Sequence, residues 1–350
     1  MPFNTFNSVA RLPKKTGGGG GINALWVACG SGTTNAMAYS INGTTWVGLG
    51  KGIFDNNGIG IAYGKDNLGG NLWVAVGSGN VNTMAYSMNG TTWVGLGKDI
   101  FDNYASSIAY SKDNLGGNLW VAVGSGNVNT MAYSPDGTTW VGLGKYTFSS
   151  YGYGIAYGKD NVGGNLWVAV GSGTGNTMAY STNGTTWVGL NINTFFNYGT
   201  KVSYGKDNLG GNLWVATGYS VTGGNTMAYS TNGTTWIGLN KNTFSGFGQG
   251  ISYGNGLWVA SGQGSGNSMA YSNNGTSWTG INKTVFSQYG YSATYGKNNL
   301  GNGLWVAGGN GTVNTLGYST DGIVWNGLGN SIFSTNGYAV TYADPSLGII

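Results

Sequence analysis

Histidine and glutamate are absent from this 350-residue chain, and arginine and cysteine occur once each, at Arg11 and Cys29. Each absence removes a class of chemistry. Without histidine there is no imidazole general base, no Ser-His-Asp relay and no imidazole metal ligand. One cysteine leaves no intramolecular disulfide and no thiolate zinc site. All ten acids are aspartate, and four of them, Asp66, Asp113, Asp160 and Asp207, recur in equivalent loops. Loops that repeat at a fixed interval lie apart in space, so the close carboxylate pair of a glycosidase is not expected. Charged residues are 7% of the chain with a net charge of +4, against about a quarter in ordinary domains. That thin positive excess has no cluster able to displace counterions from nucleic acid. The Gly-rich loops lack the Gly-Lys-Ser/Thr ending and following helix of a phosphate loop. No run reaches the roughly 18 apolar residues of a membrane span, and the N-terminal MPFNTFNSVARLPKKT has no apolar region of a secretory signal. These absences predict a protein without catalytic activity, cofactor or metal, and without nucleic acid or a membrane span among its partners.

What is abundant is glycine, at 70 residues, together with 14 Trp, 23 Tyr and 11 Phe. The aromatics supply a core that a disordered Gly-rich chain would lack. They are also periodic. Leu-Trp-Val-Ala begins at 25, 72, 119, 166, 213, 257 and 304, and a second Trp falls at 46, 93, 140, 187, 236, 278 and 325. The interval is 47 residues, shortened only before Leu257, and all 14 Trp are accounted for as two per copy. Cys29 stands where other copies carry Val76, Val123 or Ser261, so it reads as a small core residue.

Each copy reads as four short strands with turn signals between them. In the second copy these are Gly60–Tyr63, the apolar run Leu72–Val76, Thr83–Ser87 and Thr91–Val94, with Asn89-Gly90 as a two-residue hairpin turn. A connector follows each copy and carries a Phe at a recurring position, from Phe54 to Phe333. Four antiparallel strands repeated seven times predict an all-β fold, a seven-bladed β-propeller. The first copy lacks its first strand, and the chain ends on a lone strand of that type, Ala339–Tyr342. The ring is therefore expected to close by pairing of this C-terminal strand with the N-terminal blade. The implied layout is a Gly-rich leader over 1–24, the propeller over 25–342 and a short tail over 343–350.

The segment Tyr-Ser-x-Asn/Asp-Gly-x-x-Trp, as in Ser87, Asn89, Gly90, Thr92 and Trp93, resembles the Asp-box of bacterial neuraminidase repeats. Only Asp136 and Asp321 keep the acid, and the hairpin is one residue shorter. The resemblance implies a propeller and a structural role for the box, with the polar residue fixing the turn and the Trp packing between blades. It does not imply sialidase activity, because that chemistry needs an arginine cluster and a glutamate. The longer pattern across 25–342, LWVAVGxGxNTMAYSxNGTTWxGLG followed by a Phe and an Ile-Ala-Tyr-Gly strand, is similar to repeat proteins of giant DNA viruses and related environmental sequences. That similarity implies a propeller and a virion setting rather than an activity.

The alternation of strands places the first-to-second and third-to-fourth loops on one face of the disc and the blade connectors on the other. On the connector face, Asn57, Tyr104, Tyr151, Tyr198, Phe247, Tyr289 and Asn336 fall at one repeat position. They are expected to ring the mouth of the central channel, with Tyr153 and Tyr291 nearby and Lys201 pointing inward. Aromatic faces with polar tips suit a sugar or a protein surface. Two functions remain open. The first is a structural or assembly protein, such as a virion component, with protein neighbours as partners. The alternative is a lectin-like, multivalent glycan-binding propeller, whose signature would be side-chain variation on one face over a constant core.

Overall fold

In the computed structural model the described residues are 24–221 and 223–344. The expected leader falls outside them apart from residue 24, as does the tail beyond residue 344. The described chain folds into seven four-stranded antiparallel sheets. Blade 2 shows the pattern: Asn57–Lys65 innermost, then Asn71–Ser78, Met84–Ser87 and the two-residue outer strand Val94–Gly95. Blades 3 to 7 repeat it, with innermost strands Tyr104–Lys112, Tyr151–Lys159, Tyr198–Lys206, Phe247–Gly254 and Tyr289–Lys297. Blade 1 takes its innermost strand, Asn336–Ala343, from the other end of the chain. That strand pairs with Leu25–Ser31 from Leu25↔Ala343 to Ser31↔Asn336. The ring is thus closed as expected, by a strand that begins three residues earlier and ends one residue later than the Ala339–Tyr342 reading.

The core lies between blades. The second strand of each sheet is buried on both faces, which explains its unbroken apolar run. Trp26, Trp120, Trp167, Trp214, Trp258 and Trp305 are fully buried there, as are the connector phenylalanines. Each such Trp meets the cross-strand Tyr of its own blade, with ring centroids 4.7 Å apart for Tyr110 and Trp120. In four of them, Trp26, Trp120, Trp214 and Trp258, the indole also reaches the preceding blade: Trp120 Nε1 donates to the Lys65 carbonyl at 2.9 Å, and Trp26 Nε1 to the Lys297 carbonyl at 3.0 Å. The inner strands come so close that a Cβ on Gly64 would sit 2.3 Å from the Tyr110 ring of the next blade.

Two devices tie the connectors. Thr83 Oγ donates to the Phe101 carbonyl at 2.7 Å, which seats the Phe. Asn82 bridges two connectors, donating to the Ile53 carbonyl at 3.3 Å and accepting from Gly97 N–H at 2.9 Å. Both recur in other blades, as at Asn129 and Thr130.

The hairpin between the third and fourth strands corrects the sequence reading. It is not a two-residue turn, and Thr91 and Thr92 are not in a strand: pairing stops at Tyr86↔Val94. Only Gly90 has positive φ, at 78° in its blade-1 counterpart Gly43 and 76° here. Asn89 instead acts through its side chain. Its Oδ1 accepts from Thr91 and Thr92 N–H at 2.9 and 2.8 Å, while Ser87 Oγ accepts from Gly90 N–H at 2.8 Å. Trp93 Nε1 donates to the Gly90 carbonyl at 3.2 Å. The side-chain oxygens do the work of missing backbone partners, so the loop needs no tight mirror-image turn. Asp136 and Asp321 occupy the Asn89 position in their blades with the same bonds.

Candidate functional site

Every innermost strand contains a bulge at the same place. In blade 2, Gly58 pairs with Gly77 and Gly60 with Val76, which leaves Ile59 unpaired. The equivalent unpaired residues are Ser106, Tyr153, Thr200, Gln249, Tyr291 and Tyr338. A bulge adds a residue to one strand and re-aims its side chain. All seven line one cavity of about 290 Å³ at the mouth of the channel, together with Tyr198 and Lys201. These bulge residues fall two positions after the residues expected from the sequence to ring the mouth. The local signal for the bulge was present: Gly58-Ile59-Gly60, Gly152-Tyr153-Gly154 and Gly248-Gln249-Gly250 each put a lone side chain between glycines inside a strand, a bulge signature.

The residues one strand start earlier take other places. Tyr198 still lines the cavity, with Lys201 beside it. Tyr104 and Tyr151 stack at its edge, with centroids 6.2 Å apart, and Tyr151 stacks on Tyr153 at 5.7 Å. Tyr153 meets Tyr198 at 5.5 Å, and the arc continues through Tyr219 to Phe247 at 5.3 and 4.4 Å. Tyr219 comes from a second strand and was not singled out in the sequence. A second arc runs from Tyr289 to Tyr291 to Tyr338, with steps of 6.0 and 5.0 Å. Asn57 and Asn336 are tied into the sheet rather than presented. Asn57 Nδ2 donates to Ser78 Oγ at 3.1 Å, and buried Asn336 donates to Ser31 Oγ at 3.0 Å and to the Tyr338 hydroxyl at 2.8 Å.

The floor of the cavity is polar and partly committed. Ser106 donates to the Gly152 carbonyl and Thr200 to the Gly248 carbonyl, each lacing one inner strand to the next. Among the described residues no hydrogen bond engages the Gln249 carboxamide. Lys201 sits where other blades carry Gly60, Ser107, Gly154, Gly250, Ser292 or Ala339. Only here does a long side chain enter the channel at this level. Its ammonium donates to the carbonyls of Ser106 and Tyr153, both at 3.3 Å, and so spans from blade 5 to blades 3 and 4. Burial alone pushes its pKa down to about 8. Burial also raises the surrounding phenols, Tyr198 and Tyr291 both to about 12. Among the described residues the cavity therefore combines aromatic walls with one cation and no lining carboxylate.

The remaining candidates are structural in their surroundings. Ser87, Asn89 and Trp93 hold the hairpin as described. Burial works to raise Asp136, but the N–H groups of Thr139 and Thr138 and the Ser134 hydroxyl outweigh it and hold the carboxyl low. At Asp321 the Val324 N–H leads the same downward shift, against burial. Cys29 is fully buried with its Sγ 3.7 Å from the Gly60 carbonyl, and burial pushes its thiol far up. Among the described residues no group of three or more His, Cys, Asp or Glu side chains is arranged to hold a metal. No described helix is long and apolar enough to cross a membrane.

Two further recesses repeat between blades. One, of about 290 Å³, lies between Met37 and Leu49 of blade 1 and Trp93 of blade 2. The other, of about 240 Å³, lies between Met84 and Leu96 of blade 2 and Trp140 of blade 3. They are the same junction one blade apart.

No protein-family model matches the chain, and no curated protein matches it by sequence. Its fold is similar to that of the lectin BP39L from Burkholderia pseudomallei, with a TM-score of 0.58 and 13% identity over 87% of this chain and 94% of that one. It is also similar to a streptogramin B lyase, with a TM-score of 0.54 and 12% identity over 77% of this chain and 81% of that one. At such identities the likeness is one of fold: a seven-bladed β-propeller of the architecture on which a lectin and a lyase have both been built.

Proposed function

We propose that this propeller is a non-catalytic carbohydrate-binding protein that receives its ligand at the mouth of the central channel. One observation carries the reading. The seven copies agree at the Trp, Phe and Val positions of the core, yet at the bulge position they read Ile59, Ser106, Tyr153, Thr200, Gln249, Tyr291 and Tyr338. Over a constant core, the side chains that face the cavity thus differ from blade to blade. A sugar presents apolar C–H faces and a rim of hydroxyls, and a tyrosine offers a ring for the first and a phenol for the second. The uncommitted Gln249 amide adds a donor and an acceptor. The lack of a carboxylate among the described residues of the cavity lining supports binding rather than hydrolysis, which draws on a carboxylate pair.

A glycan array tests this. Wild-type protein should give defined hits. The double variant Tyr153→Ala/Tyr291→Ala should lose them by about tenfold or more in affinity, as expected for removal of aromatic anchors. Leu115→Ser, on an exposed loop of the opposite face, should retain them. An array with no hits, or hits unchanged in the double variant, would overturn the proposal.

A second reading, an assembly component such as a virion protein, has one observation in its favour. Leu68, Leu115, Val162, Leu209 and Leu300 stand 91%, 89%, 85%, 90% and 78% exposed at equivalent loop tips on the face opposite the cavity. Exposed aliphatic groups repeated across one face suit a contact surface. Sedimentation of the wild type against a Leu68→Ser/Leu115→Ser/Leu209→Ser variant would show whether they drive assembly.

A further inference from the structure

We infer that the channel-mouth cavity is selective for acidic saccharides, with the Lys201 ammonium as the group that takes the sugar carboxylate. The inference rests on the carbohydrate reading above and specifies its ligand class.

Among the described residues Lys201 is the only charged one lining the cavity, and no carboxylate shares that lining. Its position is filled by Gly, Ser or Ala in every other blade, so packing of the inner strands does not call for a long side chain there. The ammonium is held in place by two main-chain carbonyls at 3.3 Å, from Ser106 and Tyr153. Two neutral acceptors occupy two of its three N–H donors and leave the third, and the full positive charge, without an anionic partner. A buried charge without a counter-ion is costly, and a ligand that brings the counter-ion recovers that cost on binding. The walls fix what kind of anion fits. Tyr153 and Tyr198 stand beside Lys201 and Tyr291 and Tyr338 face it across the cavity rim, so the anion must arrive on a scaffold with apolar faces. A pyranose bearing a carboxylate meets both requirements, whereas inorganic anions would use the lysine alone.

The cavity holds about 290 Å³, room on the order of one or two sugar units at the low end of the usual small-ligand range. The prediction is therefore for recognition of a terminal acidic residue rather than of a long chain.

The test is an array of carboxylate-bearing glycans, each paired with its methyl ester, so that charge is removed with little change of shape. Uronic acid and sialic acid arms separate the two sources of the same group. Wild-type protein should prefer the free acid by about tenfold or more, the scale of one charge-assisted hydrogen bond. Lys201→Met should close the gap between acid and ester. Thermal melting of the variant shows that it is folded, and Lys201→Arg, which keeps the charge, should restore the preference in part. Equal binding of acid and ester by the wild type would overturn the inference while leaving the carbohydrate reading intact. A preference that survives in Lys201→Met would also overturn it. Failure of every acid, ester and neutral glycan to bind would remove both readings together.

Discussion

At the scale of the residue, Lys201 has a consequence for stability that is separate from any ligand. Its folded pKa lies near 8 and its ordinary value is 10.5. Between those values the unfolded chain holds a proton that the folded chain has released, so stability rises as pH increases through this window. Below pH 8 both states are charged and the cost of burial is present in full. The tyrosines act in the opposite sense. Tyr198 and Tyr291 are raised from 10.0 to about 12, so above pH 10 the unfolded chain loses protons first and stability falls. Denaturant midpoints from pH 7 to 10 should therefore climb in the wild type relative to Lys201→Met, and the variant should be the more stable protein at pH 7. A flat difference between the two would contradict the buried placement. Cys29 gives a second, simpler expectation. Its burial and raised thiol predict no reaction with a disulfide reagent until the chain unfolds.

Cys29 was legible in the sequence because it aligns with valines in a run that must be buried. Lys201 was legible as an anomaly, a lone charge near the start of a first strand. The ring around it was not, because a strand's period of two says which residues share a face only while the register holds. The bulge shifts that register by one residue, and the glycines that mark it were hidden among the chain's other 60-odd glycines of 70 in all.

At the scale of the element, the third-to-fourth hairpin is the unit most dependent on side-chain hydrogen bonds. Asn89→Ala removes the acceptor of two backbone N–H groups and should cost about 1–2 kcal/mol, as loss of a comparable cap does. The denaturation midpoint measures it, and an unchanged midpoint would mean that solvent replaces the bonds freely. Asp136 and Asp321 add a pH term. Their folded pKa values lie below 3.8, so the stabilisation they provide is complete above that value and is lost as pH falls through the folded pKa. The double variant Asp136→Asn/Asp321→Asn copies the residue found at Asn42, Asn89, Asn183, Asn232 and Asn274. It should keep the hairpins and lose less stability on acidification than the wild type. The sequence showed where this hairpin lies and that it holds a polar residue and a Trp. It did not show the turn geometry, because Asn-Gly is equally a signal for a tight turn and for a wider loop closed by the Asn side chain.

At the scale of the whole molecule, seven blades form a ring only if the last meets the first. The pairing of Asn336–Ala343 with Leu25–Ser31 is that join, and its strand also packs against the inner strands of blades 2 and 7. Removing residues 336–350 would expose the edge of Leu25–Ser31 and open the ring, and a marked drop in melting temperature is expected. An undiminished melting temperature would contradict closure by this strand. The fold was readable from the sequence because repetition multiplies a weak signal sevenfold: one blade's short strands are ambiguous, while seven in step are not. The function was less readable for the same reason, since the repeats advertise what they share and the cavity is built from what they do not.

The repeated recesses beside Trp93 and Trp140 and the single channel mouth make different statements about stoichiometry. A ligand held between blades would fill several equivalent sites per chain, and one held at the mouth would fill one. Isothermal titration with the strongest array ligand decides between them. The account predicts one site per chain, abolished in Tyr153→Ala/Tyr291→Ala. Several equivalent sites per chain, or a single site untouched by that double variant, would contradict it.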